Sequence, residues 1–388
     1  MLKKWHFPYS LLIFSIVTVL CGAEVLYARN SSGTSKKNSP SRNSQLQSSG
    51  SSLAWSLSMG GYRSEDELNQ STSFDLSARL DYKHELNSLT RIHVKPAFTY
   101  SSGYSQTQSQ KEASSSDWTI KKAEFAVTPG LGVELSSGAL NQREIHSALL
   151  WKDQALPALQ VSWRSQSVAG WRFRSHVQGA IATSSSLSTN TTDKEKTPTF
   201  ESYGVGVNYQ GPALSSETRI SAFAFSNLPQ SVATAAATLG NTVTTTNGTD
   251  YRFNQEYKGI ELQQRWTMYL SRGLNYELRG SFISNQKSTK GLNQAFEIEN
   301  RLALNSGQQI WTPVYRYFEI QPDATVASYN SSRFETNRTG YQAGLNFQLE
   351  KLFQLSLLSG ERDVLFESPS QKRERTLSLE LETNHDIF

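Results

Sequence analysis

The sequence is poor in the groups that hold many secreted or membrane proteins together. Cysteine occurs once in 388 residues, at Cys21, so disulfide bonds cannot hold the fold and a thiolate metal centre is excluded. Beyond the amino-terminal segment, no stretch approaches the roughly 18 consecutive apolar residues of a membrane-spanning helix. The mean hydropathy of −0.50 does not by itself exclude a membrane, because alternating polar residues lower the average of a transmembrane barrel.

Catalytic and nucleic-acid-binding signatures are also missing. We find no Gly-rich phosphate loop, no histidine pair at helical metal-ligand spacing and no nucleophile elbow. His146, His176 and His385 are scattered, and serine is too abundant for any one of them to indicate a catalytic partner. The net charge of +4 is mild and indicates no nucleic acid. The sequence favours a protein that is not an enzyme and needs no cofactor, with a lipid hydrolase at a barrel rim as a weaker alternative.

The amino-terminal segment has the pattern of a secretory signal. Lys3 and Lys4 precede the apolar core Leu11–Leu20, and small residues follow. We predict a signal peptide over residues 1–23, with cleavage after Ala23 or, as second choice, Ala28. The Ser/Asn-rich residues 24–52 have little to bury and predict a disordered periplasmic arm.

What is abundant from residue 53 onward is alternation of apolar and polar residues, which is typical of β-strands with two different faces. In one run Phe74, Leu76, Ala78, Leu80 and Tyr82 alternate with Ser73, Asp75, Ser77, Arg79, Asp81 and Lys83. Trp118 and Ile120 fall out of phase with Phe125 and Val127, which predicts a β-bulge near Lys121–Lys122.

Connections of two lengths separate these strands. Seven short connections alternate with eight long polar ones. The short connections are near residues 85–88, 129–130, 164–170, 210–216, 271–273, 305–309 and 350–351. The long ones are near residues 62–72, 101–117, 136–154, 183–197, 227–254, 284–293, 329–338 and 361–371. Outer-membrane barrels have short periplasmic turns and long outer loops. We therefore predict an all-β protein, an antiparallel transmembrane β-barrel of about 16 strands over residues 53–388. The alternative is a soluble β-sandwich.

The chain resembles the general bacterial porins in its signal peptide, its alternating strands and its carboxy-terminal Phe388. The resemblance is architectural and implies an outer-membrane location, contact with lipids and lipopolysaccharide, and insertion by the barrel-insertion machinery with Phe388 as its signal. It also implies a possible homotrimer. By the same resemblance, the third outer loop would fold inward and narrow the pore, and its polar residues are Arg143, Glu144, His146, Lys152 and Asp153.

The polar faces of the strands predict a charged, water-filled lumen. We expect the pore-lining residues to be Arg79, Arg91, His93, Lys95, Arg164, Arg172, Arg174, Glu261, Arg265, Glu277, Arg279, Glu297, Glu299 and Arg301. The predicted function is passive diffusion of ions and small hydrophilic solutes, with weak anion preference. A substrate-selective channel is an alternative, for which Phe223 and Phe225 would have to face inward. A surface or adhesion barrel acting through residues 227–254 is another.

Overall fold

The computed structural model describes residues 50–67, 70–105, 115–183, 194–246, 250–331, 334–350 and 352–386. The predicted signal peptide, residues 24–49 of the predicted arm and Phe388 lie outside these residues. The first strand begins at Ser51, two residues before the start that the sequence predicts for the barrel.

Sixteen antiparallel strands form one closed barrel, in which each strand pairs with the next and the last pairs with the first. Two further strands and a short helix lie in one outer loop. The elements are β1 (Ser51–Asp66), β2 (Gln70–Asn87), β3 (Thr90–Ser105), β4 (Ser115–Gly130), β5 (Val133–Asn141), β6 (Ala155–Arg164), β7 (Trp171–Ile181), β8 (Thr199–Gln210), β9 (Leu214–Ser226), α1 (Gln230–Thr238), β10 (Val243–Thr246), β11 (Asp250–Phe253), β12 (Lys258–Ser271), β13 (Leu274–Asn285), β14 (Gln294–Ser306), β15 (Gln309–Ile320), β16 (Arg338–Leu349), β17 (Phe353–Val364) and β18 (Glu374–Asp386).

The predicted all-β transmembrane barrel of 16 strands is confirmed. All seven connections predicted to be short lie at one end of the barrel and the eight predicted to be long lie at the other, because the strands are antiparallel and consecutive. The first of the eight, predicted over residues 62–72, is only residues 67–69, because β1 continues to Asp66 and β2 begins at Gln70. Among the described residues, no helix is both long and apolar enough to cross a membrane.

Side-chain exposure shows which face of the strands is apolar. The apolar side chains of Leu159 and Val205 point out of the barrel and are 63% and 61% exposed, whereas Glu261 on the inner face is 0% exposed. A soluble β-sandwich would bury the apolar face instead. The outward apolar face therefore rules out that alternative.

The predicted β-bulge lies on β4. Lys95 of β3 pairs with Lys122, and the next residue, Pro96, pairs with Ile120, so that Lys121 has no partner in the ladder. The extra residue shifts the alternation by one position, and the apolar residues on both sides of it face outward. One inserted residue thus explains why the period appears broken in the sequence.

Two further outer loops differ from the sequence prediction in ways that bear on the lumen. The third loop begins at residue 142, not 136, since β5 continues to Asn141, which pairs with Ala155 of β6. Its first turn is the 3-10 helix Gln142–Glu144. Residues 227–257 are not a plain loop, because they contain α1 and the hairpin of β10 and β11.

Candidate functional site

The third outer loop, residues 142–154, folds inside the barrel and is attached to the inner wall through Glu261 of β12. His146 Nδ1 lies 2.7 Å from Glu261 Oε2, and the backbone N–H of Ser147 donates to Glu261 Oε1 over 2.6 Å. Both side chains of the His146–Glu261 pair are 0% exposed. A carboxylate without solvent needs such donors, so this attachment holds the loop at a defined position across the lumen.

Two further side chains hold the same segment of the loop by its carbonyl groups. Arg219 of β9 donates to the backbone oxygen of Ile145 and, over 3.1 Å, to that of Glu144. Gln263 of β12 donates to the Ile145 oxygen over 2.8 Å. Because these donors come from two neighbouring strands, they orient the loop as well as attach it.

The second half of the loop packs into an apolar core inside the barrel. Trp151 is fully buried and its ring centroid lies 5.0 Å from that of Phe200, 5.4 Å from Phe225 and 4.8 Å from Tyr329. Tyr329 belongs to residues 321–337, the outer loop between β15 and β16, and its backbone oxygen accepts from the Lys152 N–H over 2.6 Å. Two inward loops, not one, therefore narrow the lumen.

Phe223 and Phe225 do face inward, as the substrate-selective alternative requires. They are only 2% and 7% exposed, because they belong to the core around Trp151. Rings in that position support the loop and do not line an aqueous path. The two aromatic rings that would favour a substrate-selective channel therefore pack in the core beneath the loop.

Polar contacts tie the outer loops together above this core. Asp323 accepts from the N–H and hydroxyl of Thr242 and, over 3.3 Å, from the hydroxyl of Tyr257. Asn241 donates to the backbone oxygens of Pro322 and Thr325. Burial raises the pKa of Asp323 more than these hydrogen bonds lower it, and burial together with Asp323 raises the pKa of Tyr257 well above its ordinary value.

Beside the loop, the inner wall carries an arginine ladder on β12 to β15. Arg265 and Arg279 are direct cross-strand partners, an unfavourable pairing of like charges that Glu277 offsets by contacting Arg279 and lying 3.9 Å from Arg265. Glu299 similarly joins Arg301, at 2.6 Å, to Arg279 and Arg316. Arginines outnumber the carboxylates that hold them, so the ladder keeps positive charge.

A different arrangement lines the side formed by β18, β1 and β2. Glu380 and Glu382 alternate with outward leucines on β18 and so face inward, as does Asp75 on β2. Within the described residues, these carboxylates have no basic partner within ion-pair distance. The inner surface therefore has unpaired acidic groups on one side and the arginine ladder on the other.

The cavity between the loop and the ladder has a volume of about 480 Å³. Its ionisable lining residues are Arg143, Glu144, His146, Lys152, Asp153, Glu217, Arg219, Arg265, Arg279, Glu297, Glu299, Arg301 and Arg316. All five polar loop residues predicted for the constriction lie in this lining. Five of the fourteen predicted pore-lining residues do so as well, all of them on β12 to β14.

The other predicted residues lie elsewhere on the inner face. Arg79, Arg91, His93 and Lys95 are on β2 and β3, where Asp81 accepts from His93 over 2.8 Å and pairs with Lys95 at 2.8 Å. Arg164, Arg172 and Arg174 are on β6 and β7, and Arg174 pairs with Glu217. Glu261 is buried beneath the loop and Glu277 lies within the ladder. The role of the whole set in the pore stays a prediction.

Sequence reasoning missed Lys122, which secures the other side of the loop. Its Nζ lies 2.7 Å from Glu144 and 3.1 Å from Glu124. Lys121 pairs with Asp153 at 3.1 Å. Burial would raise the pKa of Asp153, but the hydrogen bond from Asn141 and the charge of Lys121 outweigh it and hold that pKa below its usual value. The only feature of the sequence that drew attention to these two lysines was the predicted β-bulge.

Comparisons with known proteins agree with this architecture. OprB of Pseudomonas putida, solved at high pH, superposes with a TM-score of 0.56 at 11% identity over 87% of this chain and 94% of that chain. A loop-deletion form of OmpT, an outer-membrane protein of Vibrio cholerae, gives 0.52 at 9% identity over 87% and 99%. No protein-family model matches the chain, and neither does any curated protein sequence.

At these identities the similarity concerns the fold alone. The fold was reached independently from the closed sixteen-strand ladder, the outward apolar face and the inward loop. The chain has the fold of the porin-type β-barrels of bacterial outer membranes.

Proposed function

We propose that the protein is an outer-membrane channel for passive diffusion of ions and small hydrophilic solutes. The single observation that carries this proposal is the charged cavity of about 480 Å³ between the inward loop and the arginine ladder. A barrel of sixteen strands is too wide to fill with its own side chains. Polar groups around a water-filled constriction suit hydrated solutes and disfavour apolar ones.

We further propose a weak preference for anions. Seven lining side chains of the cavity are arginine or lysine and five are aspartate or glutamate, which leaves a small excess of positive charge. The unpaired Glu380 and Glu382 on the opposite side reduce that excess. Salt screens charges in water within about 10 Å at 0.1 M, so the preference should weaken as the salt concentration rises.

The remaining partners follow from the same location. Outward apolar residues would contact outer-membrane lipids and lipopolysaccharide, and insertion would need the barrel-insertion machinery. A homotrimer is part of the proposal because one form of the Vibrio cholerae OmpT, with a TM-score of 0.51 at 8% identity over 87% of this chain and 99% of that chain, is described as a trimer.

The test is conductance of the purified, folded protein in a planar lipid bilayer across a salt gradient. We expect discrete, long-lived steps and a small reversal potential of the sign that anions produce. A folded protein that stays silent would contradict the channel. Clear cation selectivity would contradict the charge argument alone.

A further inference from the structure

A second cavity lies at the outer end of the barrel, between two of the long loops. Its volume is about 450 Å³, which is within the usual range of small-molecule sites. Its walls are residues 194–196, from the loop between β7 and β8, together with Phe225 and parts of residues 227–257, including α1 and β11. Among the described residues, it shares no lining side chain with the cavity beside the arginine ladder. The candidate surface loop of the sequence, residues 227–254, thus forms a wall of this cavity.

Contacts between the two loops hold this cavity in shape. Glu195 Oε1 accepts from the backbone N–H of Gln230, the first residue of α1, over 2.7 Å. Asn227 Nδ2 donates to the backbone oxygen of Thr197 over 3.2 Å, and α1 packs against β11. A cavity that its own walls hold in shape requires little ordering when a ligand binds.

One wall of the cavity is aromatic. Phe253 lies edge-on to Tyr257, with ring centroids 5.1 Å apart, and Tyr251 is on the same face of β11 as Phe253. The Phe225 ring lies 5.4 Å from that of Trp151, so this wall continues the core that supports the third outer loop. Aromatic rings supply a large apolar contact area, against which the C–H groups on the face of a sugar ring can pack.

The charged part of the lining has more basic than acidic groups. Lys194, Lys196 and Arg252 are exposed, and none of them has a carboxylate within ion-pair distance in the part of the chain that the structure describes. The lining carboxylates are those of Glu195, which contacts α1, and Glu256. Basic groups gathered at one cavity attract anions, and arginine matches a carboxylate with two parallel hydrogen bonds.

Neutral polar groups complete the lining. The side-chain amide of Gln255 and the hydroxyl of Tyr251 make no hydrogen bond to any described residue, and both residues line the cavity. A side-chain amide offers two donors and one acceptor group, which suits the hydroxyl groups of a ligand. The lining therefore matches a molecule with a carboxylate, several hydroxyl groups and a ring with an apolar face.

We propose that this cavity, here named the outer pocket, binds a sugar acid from outside the cell. The carboxylate lies against Lys194, Lys196 and Arg252, and one face of the sugar ring lies against the aromatic wall. A neutral sugar leaves the basic groups without a partner, and an aromatic acid leaves the amide of Gln255 without one. The inference rests on the proposed outward position of the long loops and is independent of whether the lumen conducts.

The test is isothermal titration calorimetry of the purified, folded protein with D-glucuronate, D-glucose and benzoate. We expect saturable binding of glucuronate, with glucose and benzoate about tenfold weaker or more, as the loss of one charged or polar contact predicts. The double variant Lys196→Gln/Arg252→Gln should bind glucuronate about tenfold more weakly for the same reason. Lys258→Gln is the matched control, since Lys258 is exposed beside Tyr257 but does not line the pocket.

Three outcomes of this titration would overturn the proposal. The first is a wild type that does not bind glucuronate saturably. The second is a double variant that binds as tightly as wild type, because the ligand would then lie elsewhere, for example beside the arginine ladder. The third is glucose or benzoate binding as tightly as glucuronate, which would exclude a sugar acid as the preferred ligand.

A second measurement uses the wild type and stays valid if a variant fails to fold. In saturation-transfer NMR, in a detergent without aromatic groups, the aromatic protons of the protein are irradiated in the presence of glucuronate. We expect transfer to the ring C–H protons of the sugar acid. Absence of transfer would overturn the proposed contact with the aromatic wall. Bilayer conductance of the same samples separates failure of this inference from failure of the channel.

Discussion

The two sides of the lumen are built on different principles. On the side of β6 to β15, inward loops pack around Trp151 and charged residues are held in shared ion pairs. On the side of β18, β1 and β2, serines and the carboxylates of Glu380 and Glu382 face the inside, and these two carboxylates have no basic partner within ion-pair distance among the described residues. Nearer the outer end of this side, Glu374 of β18 does pair with Arg338 and Arg362. The difference shows that a charged side chain inside the barrel can serve to hold the structure and need not contact solutes. Buried pairs hold the loop, while the unpaired carboxylates are the groups that we propose to contact solutes.

Among the changes that would test this difference between the two sides, removal of the Trp151 side chain should have the largest effect. Trp151→Ala would leave a cavity among Phe200, Phe225 and Tyr329, and losses of about 3–5 kcal/mol are typical for such a change. We expect a lower unfolding midpoint in urea and a larger, noisier single-channel conductance. Trp118→Ala is the matched control, because Trp118 is 79% exposed on the outward face. Equal effects of the two variants would show that the inner core does not hold the loop.

Release of the loop from the wall should have the next largest effect. Glu261→Gln keeps the shape of the side chain but removes the charge that His146 and Ser147 contact, and hydrogen bonds to charged groups contribute about 1.5–3 kcal/mol. We expect frequent conductance fluctuations with little change in barrel stability. Glu382→Gln, an inward but unpaired carboxylate, is the control. Fluctuations that are the same in both variants would contradict the role of Glu261 in holding the loop.

Neutralising the unpaired carboxylates should change selectivity without changing stability. In Glu380→Gln/Glu382→Gln we expect the reversal potential in a salt gradient to shift toward anions, because the arginine ladder is then less opposed. Arg164→Gln/Arg172→Gln should shift it the other way. An unchanged potential in both double variants would mean that the constriction alone sets selectivity.

The smallest expected effect is on pH dependence through Asp153. Its pKa is held below the ordinary 3.8, so its contribution to the folded loop is present above that value and lost as pH falls through the lowered pKa. We expect conductance fluctuations to increase below about pH 4, and the Asp153→Asn variant to lack this increase. Fluctuations with the same pH profile in wild type and variant would exclude Asp153 as the titrating group.

Much of the barrel could be predicted from the sequence because strand periodicity and connection length are local properties. The bulge at Lys121 was predicted from the phase of Trp118 and Phe125 alone. The extent of β5 was underestimated because Ser136–Asn141 contains small and polar residues that alternate weakly. Its strand conformation depends on pairing with β6, which the sequence does not display.

The candidate site, like the barrel, could be predicted from the sequence only in part. The types and inward faces of the charged residues follow from alternation, and the inward loop was anticipated from a resemblance. Which charges pair could not be predicted, since Glu261 meets His146 across 115 positions of sequence and Trp151 meets Tyr329 across a still longer separation.

The amino-acid sequence by itself determined the fold class and the sixteen strands, because a period of two residues and the lengths of turns are local properties of the chain. Only the tertiary structure decided that two loops narrow the lumen, that Phe223 and Phe225 support them, and that His146 meets Glu261 beneath the third outer loop. These facts depend on closure of the barrel, which brings distant strands together and sets the depth at which each residue lies.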